Sequence, residues 1–376
     1  MEQKDFLELA AKVAGGKASD EELRLYASIY ERFQQDKRLS WDAAKYGDEN
    51  RLAALLDSRL RPARRRRAWI PVSAAATILL SIIIGSYFFL NRSAKQSSQQ
   101  LASKDDVAPG HSRATLVLAN GKKITLTRSL NGEIATEGQT RIDALDGQLV
   151  YQSASGNQET GFNTLTTARG EQSPYPVVLA DGTRVWLNAQ SSLTFPVNFS
   201  GAERVVKLSG EAYFEVTHHA AHPFKVQTAG GIVEDIGTQF NIHAYPDEKH
   251  ESATLLEGAV KITTKESSRL LKPGEQAKYR QGNIEVRDVD TEESVAWKNG
   301  YFMFNDVALA SVMQELGRWY DVDVRFEEES LRQLTFVASI TRYTNISKVL
   351  QVMEMTRQVR FKIEGRVITV YPGNVR

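Results

Sequence analysis

Residues 178–187 read VLADGTRVWL, and residues 117–126 read VLANGKKITL. In each, an apolar lead-in reaches Asp-Gly or Asn-Gly, and alternating apolar residues follow. These dipeptides suit the positive-φ positions of a tight hairpin turn. Strict alternation places every second side chain on one face of a strand. Two strand–turn–strand units of identical spacing therefore predict a duplicated hairpin. Asn131-Gly132 and Asp146-Gly147 are further turn signals, and short period-2 runs continue to about Val286. The region 112–290 is expected to be all-β.

Downstream the period changes. LASVMQELGRWYDVDVRF and ISKVLQVMEMTRQVRFKI repeat one helix-then-strand pattern. Strands are expected at Tyr301–Phe304, Val322–Phe326 and Thr335–Ser339, with helices at Val307–Tyr320 and Ile346–Thr356. A last hairpin, Val359–Ile363 with Val367–Tyr371, turns at Glu364-Gly365. Residues 297–376 thus predict a small α+β sandwich of two helix-strand half-repeats.

Upstream, residues 68–90 read AWIPVSAAATILLSIIIGSYFFL without a charged side chain. At about 1.5 Å per residue, a helix of this length crosses a hydrocarbon core of about 30 Å. A cleaved signal peptide would start near residue 1 with a shorter apolar run. A buried core helix would rarely be apolar on every face. Arg61, Arg64, Arg65, Arg66 and Arg67 precede the segment, whereas the following Arg92, Lys95 and Lys104 are scattered. The positive-inside rule then gives a single-pass inner-membrane protein with its N-terminus in the cytoplasm and its C-terminus in the periplasm. Trp69 and Tyr87 stand at the two interfaces, and residues 91–111 read as a polar linker.

Residues 1–67 read as a small helical domain. Phe6, Leu9 and Val13 share one face before Gly15-Gly16, and Ser19 to Glu22 forms a capping box. Leu23, Tyr26, Tyr30 and Phe33 line the next helix, and Leu52, Leu55, Leu56 and Leu60 a third. Three short amphipathic helices make a marginal core, so they either close into a bundle or await a partner. The fold class expected for the whole chain is multidomain: all-α, one transmembrane helix, all-β, then an α+β sandwich.

The formal net charge of +1 gives no overall reason to expect nucleic acid, and the chain has no Cys. Thiolate metal sites, cysteine nucleophiles and disulfides are thereby excluded. No Ser/His/Asp order, phosphate loop or HExxH motif occurs, and neither an enzyme activity nor a cofactor is expected. His218, His219 and His222 form an HHxxH cluster, with His243 and His250 beyond it. A metal site competes there with a polar loop, and the loop is the stronger reading. Glu211 and Glu215 share a strand face and read as solvated or cross-strand partners.

Several segments resemble the FecR family of transmembrane anti-sigma regulators. They are LADGTRVWLNAQSSLTFP (179–196), KLSGEAYFEV (207–216), PFKV (223–226), DIGTQFNIHAYPDE (235–248), TLLEGAVKI (254–262) and LKPGEQA (271–277). Residues from Trp297 onward resemble the domain that follows the FecR region in the Bacteroidetes form, similar to the secretin/TonB short N-terminal fold. The resemblance implies that the cytoplasmic part binds an extracytoplasmic-function sigma factor. Phe6, Leu9, Leu23, Tyr26, Tyr30 and Phe33 are the candidate contact residues. It also implies that the periplasmic part reads the signalling domain of a TonB-dependent outer-membrane receptor, with no small-molecule substrate and no direct nucleic acid. The alternative is a membrane-anchored periplasmic binding or adhesion protein without a regulatory partner. Some family members are cut at a Gly-Thr bond in the motif equivalent to IGTQF, which points to Gly237 and Thr238 as a self-cleavage site. The plainer reading makes Gly237 a turn or bulge and Thr238 the start of a strand.

Overall fold

The computed structural model describes residues 106–153, 161–280 and 282–373. The two echoed segments close identical turns. Leu118 N–H donates to Lys122 O at 2.9 Å and Gly121 N–H to Leu118 O at 2.8 Å. Leu179 N–H donates to Thr183 O at 2.8 Å and Gly182 N–H to Leu179 O at 2.9 Å. Gly121 and Gly182 hold φ of 83° and 84°, a region open to glycine at no steric cost. The turns join His111–Val117 to Lys123–Thr127 and Val177–Val178 to Arg184–Leu187, both antiparallel.

Nineteen strands, from His111–Val117 to Asn283–Asp288, form two layers around one core. The strand Arg204–Glu215 belongs to both layers. Its first half pairs with Ser191–Pro196 and Phe224–Gln227. Its second half pairs with Arg184–Leu187 and Gln239–Ala244. Gly210, at φ 96°, sits at the change of layer, where an added Cβ would come within 2.6 Å of Ser191 Cα. Leu116, Leu193 and Phe224 of one layer meet Ile142, Phe214 and Phe240 of the other. Phe214 and Phe240 stack at 5.1 Å. Each such side chain, fully buried, contributes roughly 1.5–3 kcal/mol.

Helix α1, Thr291–Val295, follows this region and is capped by Asp290, whose carboxylate accepts from Glu292 N–H at 2.9 Å. Helices α2, Leu309–Tyr320, and α3, Ile346–Glu354, belong to the C-terminal module. Leu309, Val312, Met313 and Leu316 of α2 bury against Phe302 and Phe336, while Val349, Leu350 and Met353 of α3 join the same core.

The expected fold class needs correction. Among the described residues, strand accounts for 51% and helix for 12%, and no described helix is long and apolar enough to cross a membrane. What is described is a mostly β protein with three α-helices. The C-terminal module is not a sandwich of two helix-strand repeats either. Strand Tyr301–Ala308 pairs antiparallel with Thr335–Thr341, and Asp323–Phe326 pairs parallel with Val367–Pro372, beside Val359–Glu364. A lone strand cannot satisfy its backbone within its own half, so the halves interleave and neither is a unit. The expected helices of 1–67, with Phe6, Leu9, Leu23, Tyr26, Tyr30 and Phe33, lie outside the described residues. So do Arg61, Arg64, Arg65, Arg66, Arg67 and the segment 68–90.

Candidate functional site

The strand Arg204–Glu215 is buried on both faces where it reads GEAYFE. Ala212 and Phe214 enter the β core, and Tyr213 packs with Val295 and Trp297 on the opposite side. Glu211 shares that second face and is 7% exposed, so of the two expected readings the structure shows the cross-strand partner, opposite His243, rather than the solvated side chain. Its carboxylate accepts from Asn188 Nδ2 at 2.6 Å and from Asn241 Nδ2 at 2.9 Å. Trp297 Nε1–H donates to Asn241 Oδ1 at 3.1 Å, tying the turn after α1 to the β region.

A chain of charges runs on from Glu211. His243 Nδ1 lies 3.5 Å from Glu211 Oε1, and His243 Nε2 lies 2.9 Å from Glu248 Oε1. Glu248 pairs with Arg318 Nη1 at 2.7 Å, and Arg318 Nη2 donates to both Asp247 oxygens at 3.0 Å. The Arg318 guanidinium stacks on Tyr245, 3.7 Å from the ring centroid, and Tyr245 O–H donates to Ala189 O at 2.7 Å. Arg318 belongs to α2, so the chain crosses from the β region into the C-terminal module. A second crossing is Arg342, which donates to Asn188 Oδ1 and to Trp297 O and lies 4.1 Å over the Trp319 ring.

Burial alone would drive His243 neutral, but Glu211 and Glu248 on either side override it and raise its pKa to about 10. Burial pushes Glu248 up, and His243 with Arg318 more than reverses this, lowering it to about 2. Glu211 is likewise held below its ordinary value against its burial, chiefly by His243. Opposite charges at hydrogen-bond range keep each other ionised in a part-buried site. The arrangement is a polar lock in which Glu211, His243, Glu248 and Arg318 each meet an opposite charge.

The Gly237–Thr238 peptide occupies a different place, on an open depression of about 320 Å³ lined also by Thr217, His218 and Glu257. Gly237 holds φ 91°, and a Cβ there would come within 2.7 Å of His218 Nδ1. Thr238 Oγ1–H donates to Asp235 Oδ1, and both residues are buried. Asp235 also accepts the Gly237 amide, and burial raises its pKa against these bonds. Val216 N–H donates to Thr238 O at 3.0 Å, and Ile236 N–H to Ala259 O at 3.0 Å. Gly258 lies directly under Gly237 O, where a side chain would collide with it. The peptide is therefore gripped from both sides, with a hydroxyl, a carboxyl and an imidazole gathered around it.

His218, His219 and His222 lie on an exposed loop, with the last two rings 4.9 Å apart. Among the described residues no three His, Cys, Asp or Glu side chains group as metal ligands. Sequence reasoning missed Asn188, Asn241, Glu248, Arg318 and Arg342. Arg318 did carry a signal, since it stands between Gly317 and Trp319 on a helix whose last four residues are all buried.

Residues 163–261 match the FecR protein family, and residues 301–370 match the FecR C-terminal family. Two crystal structures of a candidate anti-sigma factor from Parabacteroides distasonis are similar to this chain. One is 27% identical with a TM-score of 0.53, covering 56% of this chain and 99% of that one. The other is 26% identical with a TM-score of 0.53, covering 57% of this chain and 100% of that one. No curated protein matches the chain. Asn188, Glu211, Asn241, His243 and Glu248 fall in the first matched segment, Arg318 and Arg342 in the second.

Proposed function

We propose that the chain, whose residues 163–261 and 301–370 match the FecR and FecR C-terminal families, is a FecR-type anti-sigma regulator that holds an extracytoplasmic-function sigma factor through residues 1–67. The described part reads the signalling domain of a TonB-dependent outer-membrane receptor. The observation that carries this reading is the lock itself: Glu211, His243, Glu248 and Arg318 join the two FecR segments into one unit. A partner's contact with either segment is then felt by both. The arginine cluster at 61–67 and the apolar run 68–90 support anchorage at the inner membrane, with residues 1–67 in the cytoplasm. A regulatory protein of this kind needs no substrate pocket, which suits the shallow, open depression at Gly237.

The Gly237–Thr238 geometry favours a second step within the same role, self-cleavage. Asp235 takes the Thr238 hydroxyl proton, and Oγ1 bonds to the Gly237 carbonyl carbon. The C–N bond breaks, the proton passes to the freed Thr238 amine, and water hydrolyses the resulting ester. Glycine at φ 91° allows the backbone to bend toward that hydroxyl. Purified protein should yield a fragment beginning at Thr238, and Thr238→Ala and Asp235→Asn should each abolish it. Intact wild-type protein after prolonged incubation at neutral pH overturns this step.

The regulatory reading is tested by a reporter driven from the sigma factor's own promoter. Deleting this chain should change signal-dependent transcription at least tenfold. Unaltered transcription, with or without the signal, overturns it in favour of a membrane-anchored adhesion role.

A further inference from the structure

The first described residues of the chain are bound to its last helix. Asp106 accepts from Ser347 N–H at 3.2 Å, from Ser347 Oγ–H at 2.8 Å and from Asn345 Nδ2 at 2.9 Å. Ile346 N–H donates to Val107 O at 3.0 Å. Two of the free N–H groups at the start of α3 are thus satisfied by residues more than two hundred positions away. Asn345, at the N-cap, makes no side-chain capping bond of its own. The Asp106 carboxylate takes that role and also meets the positive end of the helix dipole.

The grip continues for two more residues. Val107 is buried in the core of the C-terminal module. Gly110 passes so close to α2 that a Cβ there would lie 2.6 Å from Trp319 O. At His111 the chain turns into the β region, with His111 N–H on Gly170 O at 2.9 Å and Gly170 N–H on Arg318 O at 2.7 Å. Residues 106–110 join no sheet. The hydrogen bonds of Asp106 and Val107 and the burial of Val107 are all with the C-terminal module, while Gly110 also lies against Gly170 O of the β region; none of these is part of a strand ladder.

We infer that residues 106–110 are an intramolecular latch, through which the C-terminal module, rather than the β region it precedes, holds the segment leading to residues 1–105. Displacing α3 or the Asn345–Ser347 corner frees this segment while the β sandwich stays folded. This inference needs only the contacts at Asp106 and Val107 and stands apart from the sigma-factor and receptor assignments.

The test is hydrogen exchange on the detergent-solubilised full chain. Asp106→Ala should speed exchange at Ile346, Ser347 and residues 107–111 by about tenfold, the scale of a lost N-cap. Strand Phe224–Gln227 should exchange as before. Should Asp106→Ala fail to fold, the pair Asp106→Cys and Ser347→Cys serves instead. The chain has no other Cys, so oxidation reports this contact alone. Oxidation should close the cross-link and protect residues 106–110 from limited proteolysis, and reduction should restore cleavage. Unaltered exchange in Asp106→Ala, opening of latch and sandwich together, or a cysteine pair that does not close would each overturn the inference.

Discussion

Arg342 Nη2 donates to Asn188 Oδ1 at 3.0 Å, joining residues that are 154 positions apart in the sequence. Arg342 is 1% exposed, and its second hydrogen bond is to Trp297 O at 2.9 Å. The same Asn188 holds Glu211 through its amide nitrogen. One asparagine therefore presents its oxygen to a cation and its nitrogen to an anion, linking the two modules.

Arg342→Ala should destabilise the protein by about 1.5–3 kcal/mol, the scale of hydrogen bonds made by a charged donor to buried acceptors that are then left unpaired. Arg342→Lys should recover little of this, since an ammonium cannot reproduce the planar fork that reaches Asn188 and Trp297 together. Denaturant unfolding followed by tryptophan fluorescence checks both. A loss below 1 kcal/mol for the alanine variant would show that the contact does not hold the modules together.

His243 and Glu248 give the lock a defined pH range. His243 is raised from 6.5 to about 10, so its contribution is complete below 6.5 and lost as pH rises through about 10. Glu248 is lowered from 4.5 to about 2, so its contribution is complete above 4.5 and lost as pH falls through about 2. Together they are fully present only between pH 4.5 and 6.5. In His243→Gln the alkaline decline in Tm should flatten, and overall stability should fall because Glu211 loses its cation while Glu248 keeps only Arg318. An alkaline limb that persists unchanged in the variant would assign it to other groups.

Glu315, on α2, behaves in the opposite sense. Burial raises it to about 7, with Arg342 pulling down and Glu211 pushing up. Its ionisation is therefore a cost, which grows as pH rises from 4.5 to about 7 and then stays constant. Glu315→Gln should gain on the order of 1–3 kcal/mol at pH 8 and almost nothing at pH 4. Thermal melts at the two pH values compare them, and equal gains at both would point to packing rather than charge.

Gly210 should tolerate no side chain. At φ 96° an alanine is strained, and its Cβ would overlap Ser191 at the point where strand Arg204–Glu215 changes layer. Gly210→Ala should cost about 1–3 kcal/mol, measured by thermal unfolding. An unchanged Tm would mean that this crossing can shift.

The hairpins at Asn120-Gly121 and Asp181-Gly182 were legible because their chemistry is local: two residues set the turn, and alternation sets the faces. The helices of the C-terminal module were legible for the same reason, through their apolar stripes. Which strands pair was not, because Tyr301–Ala308 finds Thr335–Thr341 across a helix and a 3₁₀ turn. The strand also runs on through Val307, which the apolar pattern had assigned to the helix. Alternation leaves open whether Glu211 is solvated or a cross-strand partner, because it marks only one buried face; here Trp297 and Tyr213 cover the second, and His243 is the partner across the strands. Thr238 was found through resemblance, but its partners Asp235 and His218 come together only once the strands on either side are in register.

The most direct test of the regulatory account is titration of an extracytoplasmic-function sigma factor into the detergent-solubilised full chain by calorimetry. The account predicts one-to-one binding, weakened at least tenfold by Leu23→Asp together with Tyr30→Asp and unchanged by Arg342→Ala. Absence of binding by a folded full chain, to any such sigma factor from the same cell, would contradict it.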